Sequence, residues 1–228
     1  MPTFLTDPLR WLMRVIACSS LLMLPFCGVA NAQAAMNCGP FENNYGPFDY
    51  RTATAGQHSI VENRHFDMRI ENLLPGSTNP WADDISYTLR VFPNHHRALV
   101  TMQRLAEREK TDKPAHSQYS IACYFDRAIR YRPDDVIVRM LFAQYLIKRS
   151  KNDEALRQLE LAASMAKDNP FTHYNVGLLF LDMKSYDRAL AQAHLAIQLG
   201  FTPTELKDGL VAAGKWVEPP HHEPAKKP

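Results

Sequence analysis

The sequence has almost no excess charge: 26 Lys and Arg face 24 Asp and Glu, a formal +2. Nucleic-acid binders concentrate a basic excess, so neither nucleic acid nor an anionic membrane surface is an expected partner. Catalytic signatures are also missing. No Gly-x-Ser-x-Gly, His-Glu-x-x-His or Cys-x-x-Cys occurs, which leaves hydrolase, zinc-protease and dithiol readings without support. The run Gly-Leu-Val-Ala-Ala-Gly-Lys at 209–215 has phosphate-loop spacing, but Trp216 stands where a magnesium-binding hydroxyl is needed and no strand precedes it. The expectation is a protein without catalysis and without a cofactor.

Long apolar runs are scarce as well. The run 15–29 follows Arg10 and Arg14, is short against the roughly 20 residues of a membrane span, and is broken by Pro25. With Ala30, Asn31 and Ala32 behind it, it reads as a secretory signal cleaved after Ala32. An uncleaved anchor, or a lipid on Cys18 or Cys27, is the alternative. The expected compartment is the bacterial periplasm, with the extracellular space as the alternative. Removing residues 1–32 takes Arg10, Arg14 and Asp7, so the charge falls to +1 (2 minus 1).

Cysteine is the fourth scarcity. Of four, Cys18 and Cys27 leave with the signal, and Cys38 and Cys123 remain as an even pair in an oxidising compartment. A disulfide between them is predicted. Closing a loop of 85 residues (123 minus 38) restrains the unfolded chain by roughly 4 to 5 kcal/mol in the chain-entropy picture. It would also pin the segment around Cys38 to the convex side of the helix carrying Cys123. The other reading is a buried Cys123 with a free Cys38.

What is present is a repeat. Windows 136–169 and 170–203 align at a period of 34 without a gap, and small residues recur at equal offsets: Ala143, Ala155 and Ala162, then Gly177, Ala189 and Ala196. Paired helices approach closely only where a side chain at the crossing is tiny, so Gly177 is expected to face Ala189 and Ala196 to meet the next helix. Between the small positions Phe142, Leu146, Leu159, Val176, Phe180 and Leu199 form a buried stripe at helical spacing.

The run Tyr174-Asn175-Val176-Gly177-Leu178-Leu179-Phe180, followed by Ala189 and Ala196, resembles the tetratricopeptide repeat family. The upstream window has Ala143 where that family prefers Gly and Arg139 where it prefers Trp. A divergent repeat at 96–135 precedes it, six residues longer, with the excess in the polar stretch 109–115, and 81–92 reads as a half-repeat helix closed by Pro93. The resemblance implies an all-α fold, a right-handed α-solenoid of about three helix pairs with an amino-terminal arm and a carboxy-terminal capping helix at 204–213. Thr202 is expected to cap that helix with Pro203 in its first turn, and Leu206, Leu210 and Val211 to form its inner side. Residues 218–228 are expected to be disordered. In the arm, 33–80, Phe41, Tyr45, Phe48 and Tyr50 should pack on the helices, and 57–74 should hold one or two short helices.

The resemblance also implies a concave groove lined by the first helix of each pair. Its expected wall is Arg97, Val100, Arg104, Glu107 and Arg108, then Ile137, Met140, Gln144, Ile147 and Lys148, then Phe171, Tyr174, Leu178, Leu181 and Asp182. Such a wall is cationic at one end and apolar at the other, suited to a protein or peptide with apolar anchors beside a carboxylate. Alternatively the arm or a neighbouring subunit covers it. Of the paired histidines, His95 with His96 and His221 with His222, the first pair reads as structural or capping; a metal-handling protein drawing a third ligand from His65 or Asp84, and a structural subunit that self-associates through the repeats, are the alternatives.

Overall fold

The computed structural model describes residues 38–76, 78–202 and 204–219. The signal at 1–32, the tail from residue 220 and the first-turn role of Pro203 lie outside them. The described residues are all-α, with ten helices and no strand: α1 (Ala55–His65), α2 (Met68–Glu71), α3 (Trp81–Val91), α4 (His96–Glu109), α5 (Ile121–Tyr131), α6 (Val136–Lys148), α7 (Asn152–Met165), α8 (Pro170–Asp182), α9 (Tyr186–Gln198) and α10 (Thr204–Ala212).

Helix starts follow from local chemistry. Thr54 and Gln57 form a reciprocal capping box at α1, and Asp67 accepts from two backbone amides at α2. The links into α4, α6 and α8 share one form, a two-residue turn and then an extended cap. The caps are His95, Asp135 and Asn169, whose side chains accept from the amides of Ala98, Val138 and Thr172. A ring nitrogen thus does at His95 what a side-chain oxygen does at the other two.

The 34-residue period extends to a buried polar clamp. Arg139, 7% exposed, donates to the Pro133 carbonyl (2.7 Å) and to Gln158 (2.9 Å). One period later His173 donates from Nε2 to the Lys167 carbonyl (2.8 Å) and sets Nδ1 against the Gln192 side-chain amide (2.7 Å). Each clamp ties the turn before a first helix to the second helix of the same pair.

Helices pack along the chain. α6 lies closely on α7 and α8 on α9, with Ala143, Ala155, Ala162, Ala189 and Ala196 fully buried. α4 and α5, joined by the longer connector after Glu109, approach less closely. The even-numbered helices also touch in succession, α2 on α4, α4 on α6, α6 on α8 and α8 on α10. This row carries the candidate site.

Two packing expectations are corrected. A Cβ on Gly177 would collide with Leu206 of α10 and sit 3.3 Å from Gln192, so that glycine makes room for α10 and not for Ala189. Gly209 of α10 in turn makes room for Leu181. Leu206 and Leu210 are fully buried, but Val211 is 53% exposed and points away from the core.

The arm is held where the cysteines predict. Cys38 and Cys123 are disulfide-bonded, with Cα atoms 5.3 Å apart, joining the arm to α5. One nitrogen of the buried Arg127 donates to the carbonyls of Cys38 (2.9 Å), Gly39 (3.1 Å) and Pro40 (2.6 Å), and its guanidinium lies between the rings of Phe41 and Tyr119. Downstream, Tyr131 donates to the Pro47 carbonyl, and Phe48 N–H donates to Val91 at the end of α3. Phe48 and Tyr50 both pack on Phe92.

Candidate partner groove

Because helices in this row repeat in register, α4 presents Arg97, Thr101, Arg104 and Arg108 where α6 presents Ile137, Leu141, Gln144 and Lys148. α8 presents Phe171, Asn175, Leu178 and Asp182 at the same positions. The three helices place these side chains in two different situations.

Over α4 the wall is covered by the chain itself. Arg97 pairs with Glu71 (2.8 Å) and Glu62 (3.3 Å) and lies over the Phe66 ring. Arg104 and Thr101 donate to the Glu71 carbonyl, while Arg108 donates to the Leu73 carbonyl and stacks on Trp81. Ile70 and Leu73 are buried beneath. The sequence reading left the arginines free to hold a partner's carboxylate; the structure gives their donors to residues 62–73, because α2 occupies the place beside α4 in the row.

Between α6, α8 and the start of α10 the wall is open. A cavity of about 360 Å³ is lined by Ile137, Met140, Leu141, Gln144, Asn175, Leu178, Leu179, Asp182 and Glu205. Five predicted wall residues, Ile137, Met140, Gln144, Leu178 and Asp182, meet here. Phe171, 60% exposed, and Tyr174 pack on Phe201, and Tyr174 donates to Glu205 (3.2 Å). Burial and that carboxylate push the Tyr174 phenol above its ordinary value. Lys148 is spent on Glu107 (2.8 Å), holding that carboxyl below its usual range. Leu181, expected in the wall, is turned to Gly209. Leu141, Asn175, Leu179 and Glu205 were not anticipated; Leu141 and Asn175 share one register position of α6 and α8.

The histidines serve the frame. His95 is fully buried, its Nδ1 accepts from Ala98 and its Nε2–H donates to Glu62 (3.1 Å), so both nitrogens are used and no lone pair is left for a metal. Tyr50 stacks on it at 4.0 Å and Phe66 meets it edge-on. Burial lowers its pKa against the pull of Glu62, whose own carboxyl is held down to about 2 chiefly by this hydrogen bond. His96 bonds Asp135 (2.9 Å), which also accepts from Asn94 (2.8 Å). His65 pairs with Asp84 (2.9 Å) instead of turning toward His95. Among the described residues no three His, Cys, Asp or Glu side chains gather as a metal site, and His221 and His222 lie outside them.

No family model, no curated protein and no solved structure matches the chain.

Proposed function

We propose that the protein is an exported helical-repeat adaptor of tetratricopeptide type, which holds a protein or peptide segment in the groove between α6, α8 and α10. The observation that carries this reading is the open, register-repeated wall: apolar Ile137, Met140, Leu141, Leu178 and Leu179 under a polar edge of Gln144, Asn175, Asp182 and Glu205. A repeat scaffold offers such an extended wall because each helix pair contacts only its neighbours. The period of 34, the three matching links and the paired clamps support three helix pairs stacked as a right-handed solenoid. α2 stands before the first pair in the row and α10 after the last.

No helix among the described residues is long and apolar enough to cross a membrane. The disulfide fits an oxidising compartment and, together with the signal-like segment at 1–32, supports the periplasm as the working compartment. The partner is then a protein of the cell envelope.

The test is Gln144→Trp. Gln144 is exposed, so the indole fills the groove without disturbing the core. Affinity capture from envelope extracts should lose its partners with this variant and keep them with Arg157→Trp on α7. An identical set of captured proteins would remove the groove from the account.

A further inference from the structure

Along the helix row the wall changes sign between α6 and α8 at one register position. It is Arg108 in α4, Lys148 in α6 and Asp182 in α8. Over α4 the occupant is visible. Segment 70–73 buries Ile70 and Leu73 as apolar anchors and meets the arginines with acceptors only, the Glu71 carboxylate and the carbonyls of Glu71 and Leu73. The wall therefore selects an occupant by pairing apolar anchors with groups complementary to its own charge.

On the α8 and α10 side of the open half the charge is reversed. Asp182 is exposed and has no ion partner among the described residues, and Glu205 beside it accepts only the Tyr174 hydroxyl. Lys148 pairs with Glu107, Arg149 with Asp112 and Lys207 with Glu218. We infer that the open half of the groove takes a basic partner segment, an aliphatic or aromatic anchor flanked by Lys or Arg, opposite in charge to the Glu71 carboxylate that meets the other half. The anchor enters between Met140 and Leu178, and the cation reaches Asp182 and Glu205 at the rim. Opposite charges so placed set specificity and association rate more than total affinity.

This inference rests on the groove reading, and one experiment separates the two. A random twelve-residue peptide library is selected on the full chain and counter-selected on Gln144→Trp. Groove-dependent peptides should be enriched in Lys and Arg, and a synthetic peptide of the consensus should lose about tenfold in affinity on Asp182→Asn with Glu205→Gln, a change that keeps shape and removes charge. Peptides enriched in Asp or Glu, or indifferent to the double variant, would overturn the basic-segment inference and leave the groove standing. Failure to enrich any groove-dependent peptide would end both.

Discussion

Leu206 of α10 occupies the space that a side chain on Gly177 of α8 would fill, and Leu181 of α8 does the same at Gly209 of α10. This exchange closes the end of the helix row and fixes Glu205, one residue before Leu206, at the rim of the groove. Gly177→Val forces a three-carbon isopropyl group into a filled space and should cost about 1 to 3 kcal/mol. Urea unfolding reads the loss, and proteolysis of the native variant should cut first within 204–212. A variant as stable and as resistant as wild type would mean that α10 is not seated through Gly177.

The arm depends on Cys38–Cys123 and on the carbonyls gathered by Arg127. Replacing both cysteines by serine should lower stability by roughly 4 to 5 kcal/mol at the chain-entropy limit for a separation of 85 residues, less whatever structure the unfolded chain retains. Thiol titration gives the direct count. The denatured, unreduced full chain should show no thiols beyond Cys18 and Cys27, and a chain cleaved after Ala32 should show none. Two thiols in the cleaved chain would refute the bond.

His95 makes stability depend on pH in a defined direction. Burial lowers its folded pKa below the unfolded value of 6.5, so the unfolded chain binds the extra proton. Its contribution is therefore complete above that value and is lost as pH falls below it. Glu62 acts lower, because a carboxyl held to about 2 loses its contribution only as pH drops under its unfolded value of 4.5. His95→Asn keeps a capping acceptor, as Asn169 does, and removes the titration. Its urea midpoint should fall less than that of wild type between about pH 7.5 and 5.5. Parallel curves would contradict this.

The clamp of Arg139 and Gln158 should behave as a unit. Arg139→Met alone removes the charge-assisted hydrogen bonds to the Pro133 carbonyl and Gln158, costing about 1 to 3 kcal/mol. Adding Gln158→Leu should cost less than the two single changes summed, and His173→Leu with Gln192→Leu should repeat the pattern one period on. Strict additivity at both pairs would deny the clamp.

Much of the helix order was legible in the sequence because it is written locally and periodically. The small residues at offsets of 34, the prolines Pro93 and Pro133 at the links and the polar stretch after Glu109 each mark a helix or its end. The disulfide was legible because only two cysteines remained to pair. What escaped depends on distant partners. Arg97, Arg104 and Arg108 read as free cations because nothing local says that the four-residue α2 will lie on them. His95 read first as a structural or capping residue, and it caps α4, as its position 40 residues before Asp135 fits. Gly177 was assigned to the wrong neighbour, since a missing side chain records that something is close but not what.

The central claim is that the wall formed by α6 and α8 grips another polypeptide, and photo-crosslinking in producing cells tests it most directly. A photoreactive amino acid replacing Gln144 or Asn175, both exposed on the wall, should yield one discrete adduct of the same mass from either site. The same probe replacing Glu160 of α7 should yield none. Adducts from Glu160 alone, or none at Gln144 and Asn175, would contradict the account.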